Sequence, residues 1–110
     1  MTDDYFSIDR AAADGTPVTR IRLSGEFDLS ARDELREVLL EAVDGGGAEQ
    51  IEVDLAGVRF MDSEGVSALL DGWTAADAAG VGFLLQRPTP LVHRIFEVIG
   101  MTHLFDFSER

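Results

Sequence analysis

Residues 58–70, VRFMDSEGVSALL, place Ser63 between two acids at the head of an amphipathic segment. Three chemistries are open to a hydroxyl in that setting: nucleophilic attack, helix capping and reversible phosphorylation. A nucleophile at a strand-to-helix turn wants the pattern G-x-S-x-G and a histidine base. The flanks here read MDSEG, and His93 and His103 lie far along the chain. His93 also falls off the apolar stripe of its own segment and is expected to be solvated. A small serine hydrolase is therefore the weakest of the three readings, and no catalytic residue is assigned.

With Asp62 as N-cap, Met61 and Val66 occupy the positions of a hydrophobic staple, and Ser63 becomes the first helical residue. Its hydroxyl then sits at the positive end of the helix dipole. Ser63, Ser67, Asp71 and Thr74 form a polar stripe opposite Leu69, Leu70 and Trp73. A phosphate on Ser63 would add about −1.5 to −2 charges. The dipole would favour it by roughly 0.3–1 kcal/mol, and repulsion from Asp62 and Glu64 would be of similar order. The fold would neither gain nor lose much, but a partner packed over a neutral hydroxyl would be expelled. The plain alternative is that Asp62 and Ser63 only start a helix.

Asp28, in GEFDLSA, is a second candidate: it ends a predicted strand, just before a helix. Two readings are open: an acid that only favours a helix N-terminus, or a residue that shares with Ser63 the sheet edge where ligand and partner sites of α/β folds commonly lie. Asp62 also invites comparison with the phospho-acceptor aspartate of receiver domains. Those need a lysine late in the chain, and all nine basic residues here are arginines.

The elements that must hold these residues follow from periodicity. YFSIDR (5–10) reads as a weak strand and ADGTP (13–17) as a turn. VTRIRLS (18–24) alternates, with Ile21 and Leu23 on one face and Arg20 and Arg22 on the other, so the two runs predict a hairpin. Ser30 followed by Asp33 resembles a capping box, ahead of a helical stripe of Leu35, Val38, Leu39, Ala42 and Val43. Gly45 to Gly47 end that helix with a left-handed cap; lacking a following Lys-Ser/Thr, they are no phosphate loop.

IEVDL (51–55) is a strand, and a helix over 63–79 turns Val66, Leu69, Leu70, Trp73 and Ala76 to the core. VGFLLQ (81–86), nearly continuous in apolar residues, predicts a strand covered on both faces. Thr89 and Pro90 open a third helix whose stripe is Leu91, Ile95, Val98 and Ile99, ending at Gly100. HLFDF (103–107) is a last short strand. The order β-β-α-β-α-β-α-β calls for parallel pairing through right-handed crossovers, with one antiparallel strand from the hairpin. The expected fold is a single α/β domain over 1–110, a mixed sheet covered by helices.

Composition narrows the function classes. With 45% apolar residues in 110, the chain can build one core but no second lobe. A formal charge of −12 argues against nucleic acid or an anionic membrane as ligand. The absence of cysteine excludes disulfides and thiolate chemistry, and no His/Asp/Glu spacing makes a metal site. No cofactor is expected. MTDDYF is no signal peptide, and no apolar run nears the roughly 20 residues that span a bilayer. A cytoplasmic protein is expected.

GEFDLSA, followed by IEVDLAGVRFMDSEGVSALL and the terminal LVHRIFEVIGMTHLFDF, resembles the STAS domain of bacterial anti-sigma factor antagonists. The resemblance spans nearly the whole chain, with Met101 where that family usually has leucine. It implies a non-enzymatic partner-switching regulator of transcription. In such a regulator the serine after the motif's aspartate, here Ser63, is phosphorylated by an anti-sigma factor that is also a serine kinase. The unphosphorylated antagonist binds the kinase and frees the sigma factor; phosphorylation releases it until a serine phosphatase restores the hydroxyl. Asp28, Asp62, Ser63, Glu64 and Ser67 would then form the partner-binding edge.

The same fold hosts subunits of transporter or lipid-transport assemblies that have no phospho-switch, so fold alone does not decide. One letter departs from the motif: Glu64 stands where the family usually has Ser or Thr. Either the partner supplies a basic residue, or the switch is offset toward release, in which case exchanging Glu64 for Ser would tighten binding.

Overall fold

The computed structural model describes residues 6–12, 17–45 and 47–105. The elements run β1 (Phe6–Ala12), β2 (Val18–Phe27), α1 (Leu29–Asp44), β3 (Gln50–Met61), α2 (Ser63–Ala79), β4 (Gly82–Gln86) and α3 (Pro90–Val98). A short 3-10 turn, Thr102–Leu104, follows. The sheet order is β1-β2-β3-β4, with β1 antiparallel to β2 and the other pairs parallel. This is the expected α/β arrangement of a mixed sheet with three helices. Pro17 is all that is described of the turn expected over 13–17, and Tyr5 and Gly46 also lie outside the described residues.

Alternation decides which face of the sheet is dry. Ile21, Leu23, Ile51, Val53, Leu55, Phe83 and Leu85 are buried together with Ala31, Leu35, Leu39, Ala42 and Val43 of α1 and Val66, Ala68, Leu69 and Ala76 of α2. The two helices press close at Gly72, where a Cβ would stand 2.7 Å from Leu39 Cδ1. The opposite face of the sheet carries a charged ladder. Arg20 Nε donates to Glu52 at 3.0 Å, Gln50 donates to the same carboxylate at 2.6 Å, and Asp54 pairs with Arg22 and Arg87. Burial pushes the Asp54 carboxyl up, but the Arg87 hydrogen bond, the Ala56 N–H and the two arginine charges outweigh it and hold it below its usual range. The expectation of a β4 covered on both faces is corrected accordingly. Phe83 and Leu85 face the core, whereas Leu84, half-buried, stands beside Glu52.

β3 is more than twice as long as IEVDL. Its register on β2 slips twice, from Asp54 opposite Arg22 to Gly57 opposite Ser24, and from Val58 opposite Gly25 to Phe60 opposite Glu26. Each slip is a bulge that gives β3 one extra residue. The buried positions of its second half are therefore Leu55, Val58 and Met61, three apart instead of two. That spacing hides the strand from a search for alternation.

Other sequence expectations move. The N-cap of α1 is Asp28, not Ser30, because β2 runs on to Phe27 and the helix begins at once. Gly45 adopts a right-handed conformation, and of the two described glycines of the triplet it is Gly47 that has a positive φ. In α3 the buried residues are Val92 and Phe96; the expected stripe of Leu91, Val98 and Ile99 is exposed, with Ile95 half-buried. His93 is stacked on Phe105 at 5.4 Å rather than solvated. The last strand reduces to an isolated parallel bridge between Phe105 and Leu85; Asp106 and Phe107 lie outside the described residues.

Substitution tests the corrected face of α3. Phe96→Ala is expected to lower unfolding free energy by about 3–5 kcal/mol. Val98→Ala, at a position 74% exposed, should change it by less than about 0.5 kcal/mol in urea melts.

Candidate functional site

The site is built where two neighbouring parallel strands stop together. Phe27, the last residue of β2, is registered on Met61, the last of β3, and both side chains are fully buried. Each strand is followed by an aspartate that caps the next helix. Asp28 Oδ1 accepts from the Ser30 backbone N–H at 3.0 Å and from its hydroxyl at 2.7 Å. Asp62 Oδ1 accepts from Glu64 N–H at 2.9 Å and Gly65 N–H at 3.3 Å. The Ser30 hydroxyl and backbone N–H hold the Asp28 carboxyl below its usual range, so this cap stays anionic into mildly acid solution.

Two further contacts lock the second junction onto the first. The Asp62 backbone N–H donates to Phe27 O at 3.2 Å, so the turn into α2 is tied directly to the end of β2. Gly65 makes this approach possible: a Cβ there would lie 2.5 Å from Phe27 O and 2.8 Å from Met61 Cγ. The glycine of MDSEG is thus required by close packing, a role that G-x-S-x-G chemistry does not describe.

Ser63 is the first residue of α2 and Leu29 the first residue of α1. Both are exposed, Leu29 to 59%. Ser67, Asp71 and Thr74 continue the exposed stripe expected below Ser63. Phe60, on β3 beside Glu26, is a second exposed apolar residue, at 43%. Asp28, Asp62, Ser63 and Glu64 therefore come together at one edge, with Ser67 one helical turn further down.

Sequence reasoning missed three participants. Leu29 and Phe60 add exposed apolar side chains at the two strand ends, and a phenylalanine two residues before the cap was the available signal for the second. The third is Arg32 of α1, whose Nη1 donates to Glu64 Oε1 at 2.8 Å while its Nε donates to Asp33 at 3.2 Å. The Glu64 charge is thus met from within the chain, an alternative not among the two weighed from sequence. A second rung, Arg36 Nε to Asp71 at 3.2 Å, repeats the pattern further along the α1–α2 seam. Both pairs are solvent-exposed and add little to stability.

A groove of about 720 Å³ runs along α1 past Arg10, Asp33, Arg36 and Glu37, and none of Asp28, Asp62 or Ser63 lines it. Among the described residues no group of His, Asp and Glu is arranged to hold a metal ion. The two imidazoles stand with the C-terminal elements, His93 on Phe105 and His103 edge-on to Trp73 at 5.9 Å. Among the described residues no helix is long and apolar enough to cross a membrane.

The family described as "Mlab, STAS domain" matches residues 11–106. The chain belongs to the STAS-domain family. The anti-sigma F factor antagonist of Lysinibacillus sphaericus is 32% identical over 74% of this chain and 69% of its own length. The anti-sigma-B factor antagonist of Staphylococcus epidermidis is 26% identical over 81% of this chain and 82% of its own. The solved structure of the anti-sigma factor antagonist SpoIIAA in its unphosphorylated form superposes with a TM-score of 0.79 at 25% identity, covering 91% of this chain and 86% of that one. In this STAS domain the doubled strand-aspartate-helix junction is the feature that presents Ser63.

Two substitutions test that geometry. Gly65→Ala should destabilise by about 1–3 kcal/mol through overpacking on Phe27, and Asp62→Ala by about 1 kcal/mol through loss of the cap. Thermal denaturation of both checks the order, with Gly65→Ala the more costly.

Proposed function

We propose that this STAS protein is an anti-sigma factor antagonist that binds a serine-kinase anti-sigma factor when Ser63 is a free hydroxyl and is released when Ser63 is phosphorylated. The observation that supports this best is the exposure of Ser63 at the first position of α2, next to a strand-end junction that also exposes Leu29. An exposed hydroxyl with exposed apolar side chains near it suits a protein partner better than a small molecule. The similarity to relatives named anti-sigma factor antagonists points to what that partner is.

The chemistry required of this chain is small. The Ser63 Oγ attacks the γ-phosphorus of ATP held by the kinase, loses its proton, and ADP leaves. The product keeps its fold, because the capping carboxylate of Asp62 accepts from Glu64 and Gly65 and leaves the serine side chain out of the helix start. What changes is the edge, where a phosphate of about −2 charges replaces a neutral group over which the partner had packed. Hydrolysis by a serine phosphatase returns the hydroxyl and releases inorganic phosphate. ATP belongs to the kinase, and the acidic chain has no part in binding nucleic acid. Action of this kind is cytoplasmic, where the sigma factor works.

The test uses a cognate anti-sigma factor kinase with wild type, Ser63→Ala and Ser63→Asp. Wild type should gain the mass of one phosphate on incubation with kinase and ATP, and Ser63→Ala should gain none. Ser63→Asp should bind at least about tenfold more weakly, roughly 1.4 kcal/mol. Equal binding by wild type and Ser63→Asp would overturn the switch.

A further inference from the structure

Glu64 and Ser63 are consecutive residues in the first turn of α2, and the Glu64 carboxylate is held by Arg32 reaching across from α1. The pair is equally exposed on both sides, at 38% for each side chain. A pair so open to water is held weakly and exchanges partners readily. The Arg32 guanidinium divides its donors between Glu64 and Asp33, both carboxylates. Its five N–H groups form a planar fork suited to two oxygens of one phosphate.

We propose that Arg32 is the residue by which the molecule registers phosphate on Ser63: Glu64 holds it while Ser63 is a hydroxyl, and the phosphate takes it over once Ser63 is modified. The inference rests on the reading of Ser63 as phospho-acceptor. The competition is unequal, because the phosphate carries about twice the charge of the carboxylate and three strong acceptor oxygens. Arg36 and Arg59 pair with Asp71 and Glu26, outside the first turn of α2, whereas Arg32 is already bonded to the residue next to Ser63. Among the described residues, the other charged groups of the two helix starts, Asp28, Asp62 and Asp33, are acids. Arg32 is thus the cation at hand.

The transfer enlarges the signal. Before modification, the Arg32–Glu64 pair cancels the charge of the acid that follows Ser63 in the motif. After modification the phosphate is partly compensated, but Glu64 loses its cation and becomes a bare negative charge one residue further along the helix. A partner therefore meets a repulsive surface two residues wide. Arg32 is a positioning residue in this scheme, and Glu64 becomes part of the switch instead of an interruption of it.

The test installs phosphoserine at position 63 during translation, so that no kinase is needed, and follows the phosphate by ³¹P NMR across pH. An opposite charge in contact favours the dianion, so the second ionisation in wild type should fall below that of Arg32→Gln by at least about half a pH unit. Glu64→Gln, which removes the competitor, should titrate lower still, and Arg32→Gln/Glu64→Gln should reverse that shift. In the unsubstituted protein, the Arg32 Nε–H resonance should move on phosphorylation and follow the phosphate titration. Equal titration of wild type and Arg32→Gln, or an unmoved Arg32 resonance, would leave Arg32 on Glu64 and overturn the proposal. Because the phosphate is installed without a kinase, that outcome does not bear on binding to the anti-sigma factor, and loss of the binding switch would not alter the ³¹P result.

Discussion

The contact on which the site depends is the hydrogen bond from the Asp62 backbone N–H to the carbonyl of Phe27. It joins the end of β3 to the end of β2 just where both strands turn into helices, so two capping aspartates and two exposed first-turn residues share one edge. Everything around it serves that approach. Met61 and Phe27 are buried beneath, and Gly65 leaves the space that a side chain would fill. A parallel pair of strands normally brings its crossover helices side by side; here the pairing continues past the sheet into the helix starts themselves.

Much of this was written plainly in the chain. Ile21 and Leu23, then Ile51, Val53 and Leu55, alternate as half-buried strands must, and they are all in the core. Asp62 could be read as a cap because an Asp ahead of an apolar helical stripe has few other uses. Asp28 against Ser30 was harder, since both are good capping residues and only the true end of β2 chooses between them. The face of α3 was read from the wrong residues. Val92, Ile95 and Phe96 recur at i, i+3 and i+4, on the side away from Arg94 and Glu97, and they turn inward where Leu91, Val98 and Ile99 do not. Phe96 meets Phe105 edge-on at 5.3 Å.

The Arg32–Glu64 pair illustrates the remaining limit. Its members lie 32 residues apart, and nothing in the local pattern around either points to the other. Glu64 looked like a defect in a serine-rich motif when judged by its immediate neighbours. With α1 packed against α2, it is one rung of a two-rung seam whose other rung is Arg36 and Asp71. Charge at a helix start has to be judged by the adjoining helix as much as by its own.

The two bulges of β3 fix a length as well as a twist. From Leu55 to Met61 the strand presents a core-facing side chain every third residue, and the last of these is the anchor on which the aspartate cap and Ser63 stand. The segment works as a spacer of fixed count between the centre of the sheet and the exposed serine. Gly57, where a Cβ would meet Ser24 Oγ at 2.5 Å, pins the first bulge against β2. The chain can therefore vary its surface letters here, but it cannot gain or lose one without rotating Ser63 away from the edge that its neighbour strand defines.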